Sequence, residues 1–236
     1  MQMGMRRVLT AAVAGVALGV AVTGCSSGPV EFGTVKPSGD KVKITANTYG
    51  NLAPADQWPN ACDLLTDDEI ESVLPQASVD HGASGIKIIG SEDTQTAPQG
   101  QCEYEIGLPG TTNNHPVQVW VDLVAVGDPS MVATRIDHPE ATESTATERD
   151  TPRKDLGTSL GTQKCLRQGH DGDARWTPYL YCRQGPVGFS INAVVDPKAD
   201  IKAGGGDAGH TRLFFDKAVK QFPKAIAAKL PKESTY

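Results

Sequence analysis

Basic residues are few in this chain of 236 residues: 22 Lys and Arg stand against 28 Asp and Glu, which gives a formal net charge of −6. Without a basic surface the chain can neutralise few phosphates, so we expect no nucleic-acid partner. Long apolar segments are lacking as well. The longest, residues 8–22, would extend roughly 22 Å as a helix, short of the ~30 Å hydrocarbon core of a bilayer. A polytopic membrane protein is therefore excluded.

Motifs that carry chemistry are lacking too. The sequence contains no His-Glu-x-x-His or Cys-x-x-Cys pattern. Ser190 follows Gly188, but Asn192 stands where a nucleophile elbow needs its second glycine. Residues 204–209 match a dinucleotide fingerprint in form only, because no strand follows the helix after them. We therefore predict no catalytic residue, no metal and no cofactor.

The N-terminus has the features of an export signal. Arg6 and Arg7 precede the apolar stretch, and Val22-Thr23-Gly24-Cys25 is then followed by polar residues. This pattern is typical of a bacterial lipobox, in which the cysteine thiol receives a diacylglyceryl group and the signal is cut immediately before it. We predict a signal peptide over residues 1–24, lipidation of Cys25, and a location on the extracytoplasmic face of the cell membrane. The paired arginines fit either general secretory or twin-arginine export.

Residues 25–58 are rich in small and polar residues and are predicted to be a flexible spacer. Removal of the signal takes away Arg6 and Arg7 and no acid, so 20 basic residues remain against 28 acidic ones, a net charge of −8. Such a surface is repelled by anionic lipid headgroups. We therefore expect an extracytoplasmic domain, residues 59–236, that stands off the bilayer on its spacer.

Four cysteines remain besides Cys25, and an even number in an exported chain favours disulfide bonds. Three pairings are possible, and the sequence alone does not select one. We favour Cys62–Cys102 with Cys165–Cys182, because each pair then lies within one half of the chain and closes a loop of moderate size.

Local patterns predict an α+β fold, with an antiparallel sheet packed by a short N-terminal helix and a longer C-terminal helix. Thr66 and Glu69 form a capping box that begins the short helix, and Pro75 ends it. The long helix is expected from about Asp207 to Leu230, with a kink caused by Pro223. Its predicted apolar positions are Phe215, Val219, Phe222, Ile226 and Leu230.

Alternating apolar residues predict the strands. The clearest strand runs through residues 117–125, with Val117, Val119, Val121, Leu123 and Ala125 on one face. Both halves of the chain have a similar order of elements, which we interpret as two hairpins of one sheet rather than as a duplication.

Aromatic residues on the polar side of these strands are the main functional lead. Trp120 lies on the polar face of its strand, and Tyr179 and Tyr181 lie on another strand. A helix could cover this face and make the three residues core, or they could form a platform for an envelope protein, a glycan or a lipid. We predict a non-catalytic binding or scaffolding domain of the cell envelope. An envelope hydrolase with a discontinuous active site is the alternative.

Two short motifs also resemble those of a family of proteins. Ala61-Cys62-Asp63-Leu64-Leu65-Thr66 and the later Cys102-Glu103-Tyr104 are similar to the opening Pro-Cys-x-Leu-Leu-Thr and the later Cys-x-Trp of an actinobacterial family of secreted lipoproteins of unknown function. Alanine and tyrosine replace the family's proline and tryptophan. The resemblance covers about residues 60–232 and implies an envelope location and a bond between the two motif cysteines. It implies no catalytic residue.

Overall fold

The computed structural model describes residues 30–44, 49–88, 95–108, 117–138, 153–169, 178–196 and 206–233. The predicted signal peptide and Cys25 lie outside these residues. The strands are β1 Ser78–Ile88, β2 Gln95–Gly107, β3 Val117–Val126, β4 Arg153–Gly157, β5 Lys164–Gln168, β6 Tyr179–Gln184 and β7 Val187–Val195. The helices are α1 Asp67–Val73, α2 Pro129–Asp137, α3 Gly206–Lys217 and α4 Phe222–Lys229. No helix in the described part of the chain has the length and apolarity needed to span a membrane.

In the described residues the strands form one seven-stranded sheet, in the order β1-β2-β3-β7-β6-β5-β4, and every neighbouring pair is antiparallel. The α+β class with an antiparallel sheet is therefore confirmed. The two halves of the chain join where β3 pairs with β7. Alternate residues of these strands, among them Val119 and Ile191, belong to the main hydrophobic cluster and define the core face of the sheet.

A bulge in β3 corrects one predicted position. Leu123 pairs with Phe189, but the next partners are Ala125 and Gly188, so Val124 is an extra residue in β3. The extra residue moves Ala125 to the face opposite Leu123, against the prediction that both share one face. There Ala125 is buried outside the main cluster.

Helix α2 packs on this opposite face. A Cβ atom on Gly188 would lie 3.0 Å from the side chain of Ile136 and 3.3 Å from that of Val132. Glycine is needed at position 188 because helix and strand approach this closely.

The N-terminal helix begins as predicted. Thr66 Oγ1 accepts a hydrogen bond from the Glu69 backbone N–H at 3.3 Å, and Glu69 Oε2 accepts one from the Thr66 N–H at 2.8 Å. Both halves of the capping box are thus present.

The C-terminal segment differs from the prediction, because α3 and α4 replace the single kinked helix. A 3-10 turn, Val219–Gln221, separates them. Pro223 has no N–H to offer the Val219 carbonyl, and the Phe222 N–H bonds to that carbonyl instead. The predicted apolar positions are all buried in the main cluster: Phe215, Val219, Phe222, Ile226 and Leu230.

The predicted spacer is also wrong for residues 30–44 and 49–58, which pack against the domain. Val35, Val42 and Trp58 are buried in the main cluster. The Trp58 indole N–H also donates to the Ala53 carbonyl at 3.0 Å. These apolar side chains are isolated in the sequence but find partners in the folded chain. The folded unit therefore includes residues well before the predicted boundary at 59.

Candidate binding face

The sheet brings Trp120, Tyr179 and Tyr181 to one face. Trp120 of β3 pairs with Asn192 of β7, and Asn192 pairs with Tyr179 of β6, so these residues form one row across three strands. Trp120 and Tyr179 are then about 10 Å apart across the sheet, two strand spacings. We call Trp120, Asn192, Tyr179 and Tyr181 the aromatic face.

The side chains of the aromatic face are half-buried rather than core residues. The Tyr179 and Tyr181 rings stack, with centroids 6.1 Å apart and an angle of 20° between their planes. The residues lie two apart along β6, which places both rings on one side of the strand. The two rings therefore form one half-buried aromatic pair on this side of the sheet.

The next row of the same face is polar and hydrogen-bonded across four strands. Ser84 Oγ donates to Gln101 Oε1 at 3.0 Å, and Gln101 Nε2 donates to Asp122 Oδ1 at 2.8 Å. Ser190 Oγ lies 3.5 Å from Asp122 Oδ2 and donates to it. These hydrogen bonds fix the Asp122 carboxylate beside Trp120, so the orientation of the carboxylate does not depend on a ligand.

Asp122 has a perturbed acidity. Burial raises its pKa above the usual 3.8, while the hydrogen bonds from Gln101 and Ser190 act in the opposite direction. Asn192, in the neighbouring row, has its Oδ1 buried with no hydrogen-bond partner among the described residues. The fold therefore fixes the Asp122 carboxylate firmly and the Asn192 amide less firmly.

Charged residues flank the aromatic face on two sides. On the β2 side Glu103 pairs with Trp120 in the sheet. On the β5 side Lys164 Nζ lies 3.1 Å from Asp137 Oδ1, and Arg183 Nε lies 4.0 Å from the same atom. The aromatic rings thus lie between Glu103 and a cluster of ion pairs in which Asp137 and Asp155 balance Lys164 and Arg183.

A concavity that the sequence analysis missed lies beside α1. It is a cleft of about 710 Å³ between residues 40–43 and the start of α1, with Asp40, Asp63 and Asp67 among its lining residues. His81 Nδ1 lies 2.8 Å from Asp67 Oδ1 at its rim. No group of three residues suited to hold a metal ion occurs in the described ranges. The cleft could not be found from sequence, because one wall is the segment interpreted as spacer.

Both favoured disulfides are present. Cys62 and Cys102 are bonded with their Cα atoms 5.0 Å apart, and Cys165 and Cys182 with theirs 4.1 Å apart. The pairing predicted from the two halves of the chain is confirmed.

The two short motifs meet at the first of these bonds. Beside the Cys62–Cys102 disulfide, the buried Tyr104 hydroxyl donates to the Leu65 carbonyl at 2.5 Å. Burial, with smaller contributions from Asp67, Glu69 and Asp63, raises the pKa of Tyr104 far above its usual value. The tyrosine therefore stays a neutral donor and ties β2 to the segment before α1.

Comparison with known proteins gives no match: no family model, curated protein or solved structure is significantly similar to this chain.

Proposed function

We propose that this chain is an extracytoplasmic lipoprotein, attached to the membrane through Cys25, whose domain binds an envelope component without catalysis. Its two short motifs fit the actinobacterial lipoprotein family that they resemble. The observation that carries the binding role is the aromatic face, with Trp120 and Tyr179 in register and the Tyr179 and Tyr181 rings stacked.

The chemistry of this face favours binding. Aromatic rings contribute much of the energy of protein recognition because they bury a large apolar area with few rotatable bonds. Here they border the hydrogen-bonded Gln101–Asp122–Ser190 row, which offers oriented polar groups at no cost of ordering. A partner with apolar and polar groups in one plane would satisfy both.

The division of the sheet into two faces supports the same role. We propose that α1, α3 and α4 cover the core face, since buried residues of all three share one hydrophobic cluster with the strands. Helix α2 packs at Gly188, toward one end of the opposite face. The proposed binding surface, the aromatic face, lies on the same side of the sheet as α2 and is reached at Asn192, four residues along β7 from Gly188.

Substitution of Trp120 tests the binding role. Native envelope is separated into cell-wall glycan, lipid vesicles and membrane proteins, and each fraction is applied to the immobilised lipoprotein. We expect at least one fraction to be retained, and Trp120→Ala to reduce its retention about tenfold, the loss typical of a central aromatic contact.

Tyr49→Ala is the matched control, because Tyr49 is 83% exposed and its neighbour Gly50 is hydrogen-bonded to Asp128, beyond the end of β3 that is far from Trp120. Equal retention by Trp120→Ala and Tyr49→Ala would refute the proposed face. Loss of an envelope phenotype on single histidine or aspartate changes, with none on Trp120→Ala, would favour the hydrolase instead.

The lipid anchor has a separate test. Cys25→Ala removes the only thiol that the lipobox offers for lipidation, so we expect an uncleaved precursor. Normal cleavage of the variant, together with partition into the detergent phase, would contradict the proposal.

A further inference from the structure

Residues 30–44, which we call the strap, lie between α1 and the C-terminal helices. The Gly33 N–H donates to the Val73 carbonyl of α1 at 2.7 Å. From the other side, Gln221 Oε1 accepts from the Val35 N–H at 2.9 Å and Gln221 Nε2 donates to the Gly33 carbonyl at 3.1 Å. The backbone of the strap is thus hydrogen-bonded to both walls of its groove.

The second half of the strap is held by a buried ion pair. Lys229 Nζ lies 2.6 Å from Glu69 Oε2, and the two side chains are 3% and 0% exposed. Glu69 Oε1 also accepts from the Ser38 N–H at 2.9 Å, and the Lys229 carbonyl accepts from the Val42 N–H at 3.1 Å. Both members of the pair therefore bind the strap directly.

The strap fits closely as well. A Cβ atom on Gly33 would lie 2.3 Å from the Ser72 carbonyl oxygen, so only glycine can occupy this position without a shift. Val35 and Val42 are buried in the main cluster. Hydrogen bonds, charge and packing all hold the strap to the domain.

We infer that the strap holds the domain against the membrane surface, a proposal that rests on the lipid anchor at Cys25. Val30 is five positions after Cys25, and a fully extended chain spans at most about 3.6 Å per residue, or ~18 Å here. The segment between the lipid anchor and the docked part of the domain is called the leash. If the strap were free, the leash would extend to residue 44 and reach up to about 65 Å. Docking of the strap removes most of that reach.

The partner of this edge of the domain is therefore the lipid surface, and the short leash rather than charge keeps it there. This inference differs from the expectation, drawn from net charge, of a domain that stands off the bilayer. The strap and the helices that it contacts share the hydrophobic cluster of the core face. The aromatic face, on the other side of the sheet, is then turned away from the anchored edge.

Fluorescence energy transfer from the domain to the bilayer measures how close each side of the domain lies to the membrane. The lipidated full chain is placed in phosphatidylcholine vesicles that contain an acceptor on the lipid headgroup. A donor is attached at Lys217, exposed on α3 with its carbonyl bonded to the Gln221 side chain that holds the strap, or at Val194, 37% exposed and on the side of β7 that carries Asn192. We expect several-fold stronger transfer from Lys217 than from Val194. Equal transfer from the two positions would overturn the inference.

Two variants lengthen the leash in different ways. Ten Gly/Ser residues inserted between Ser27 and Gly28 leave the strap intact and add up to about 35 Å, so transfer from Lys217 should fall at least about twofold. Gly33→Ala should release the strap, lower the same transfer and increase amide exchange over residues 30–44. Gly82→Ala is the matched control, because a Cβ there meets no atom within 4 Å.

An insertion that leaves transfer unchanged would refute the short leash, even if Gly33→Ala fails to fold. Failure of the lipid anchor itself gives a different result. The chain would then not stay with the vesicles, and both the lipoprotein proposal and this inference would be refuted.

Discussion

Replacement of Lys229 by methionine should destabilise the domain strongly. The change keeps the length of the side chain but leaves the Glu69 carboxylate, 0% exposed, without its cation. Removal of one partner from a buried ion pair costs about 3–5 kcal/mol, against a total stability of about 5–15 kcal/mol.

The lower end of this range is expected here. Glu69 keeps hydrogen bonds from the Ser38 and Thr66 N–H groups, which stabilise its charge after the lysine is lost. Burial also lowers the pKa of Lys229, although the hydrogen bond and charge of Glu69 act in the opposite direction. Burial of the charged Lys229 therefore costs free energy in the wild type. The methionine variant avoids this cost, which offsets part of the destabilisation. We expect a loss of about 3 kcal/mol.

Urea unfolding measures the loss. With a slope of about 2–3 kcal/mol per molar urea, the midpoint should fall by about 1–1.5 M. Lys217→Met, at an exposed lysine of α3, should leave the midpoint nearly unchanged.

The double variant Glu69→Gln with Lys229→Met tests the cause. No unpaired charge is buried in this variant, so it should be more stable than the sum of its single changes predicts, by at least about 1 kcal/mol. Strict additivity, or equal midpoints for Lys229→Met and Lys217→Met, would refute the reasoning.

Two further predictions concern the sheet and the C-terminal helices. Burial raises the pKa of Asp122 above its usual 3.8 in the folded state. The folded state therefore binds this proton more tightly than the unfolded state does. The free energy of unfolding then falls as the pH rises from 3.8 through the raised pKa. Asp122→Asn should therefore gain in Tm relative to the wild type between pH 4 and pH 7 in thermal scans, and a constant difference would contradict this. Phe222→Ala should lower the free energy of unfolding by roughly 3–5 kcal/mol, because Phe222 is fully buried. Calorimetry should find little change for Lys220→Ala, whose side chain is 36% exposed. Equal, small effects would mean that α4 is a surface appendage.

Local patterns predicted those parts of the fold that depend on near neighbours. The capping box at Thr66 needs only residues within one turn, and it is present. The alternation in β3 was sufficient to place Val119 and Val121 on the core face. The bulge was not visible in the sequence, because a shift of pairing at Val124 is set by its partner strand rather than by β3 alone.

The strap could not be predicted because its partners are far away in the chain. Val35 is an isolated apolar residue in a polar segment, and its N–H binds Gln221, 186 residues later. Lys229 has the pattern of a solvent-facing helix residue, yet it is buried against Glu69, 160 residues away. Composition measures local apolar content, and these contacts depend on the groove that the whole domain forms.

The aromatic face was predictable only in part. Strand parity placed Trp120 on the polar side of its strand and Tyr179 and Tyr181 together on theirs. Their alignment requires β7 to lie between β3 and β6, so that Asn192 connects the row. Strand order is a property of topology, and no short motif encodes it.

The two disulfides contribute differently to this arrangement. Cys165–Cys182 joins residues that already pair in neighbouring strands, so it reinforces a register that backbone hydrogen bonds define. Cys62–Cys102 instead joins the 3-10 turn Ala61–Asp63, just before α1, to β2. Because α1 provides Glu69 and one wall of the strap groove, this bond fixes the position of the strap relative to the sheet. The motif cysteines therefore affect the position of the strap, on which the proposed docking at the membrane depends, as well as the stability of the domain.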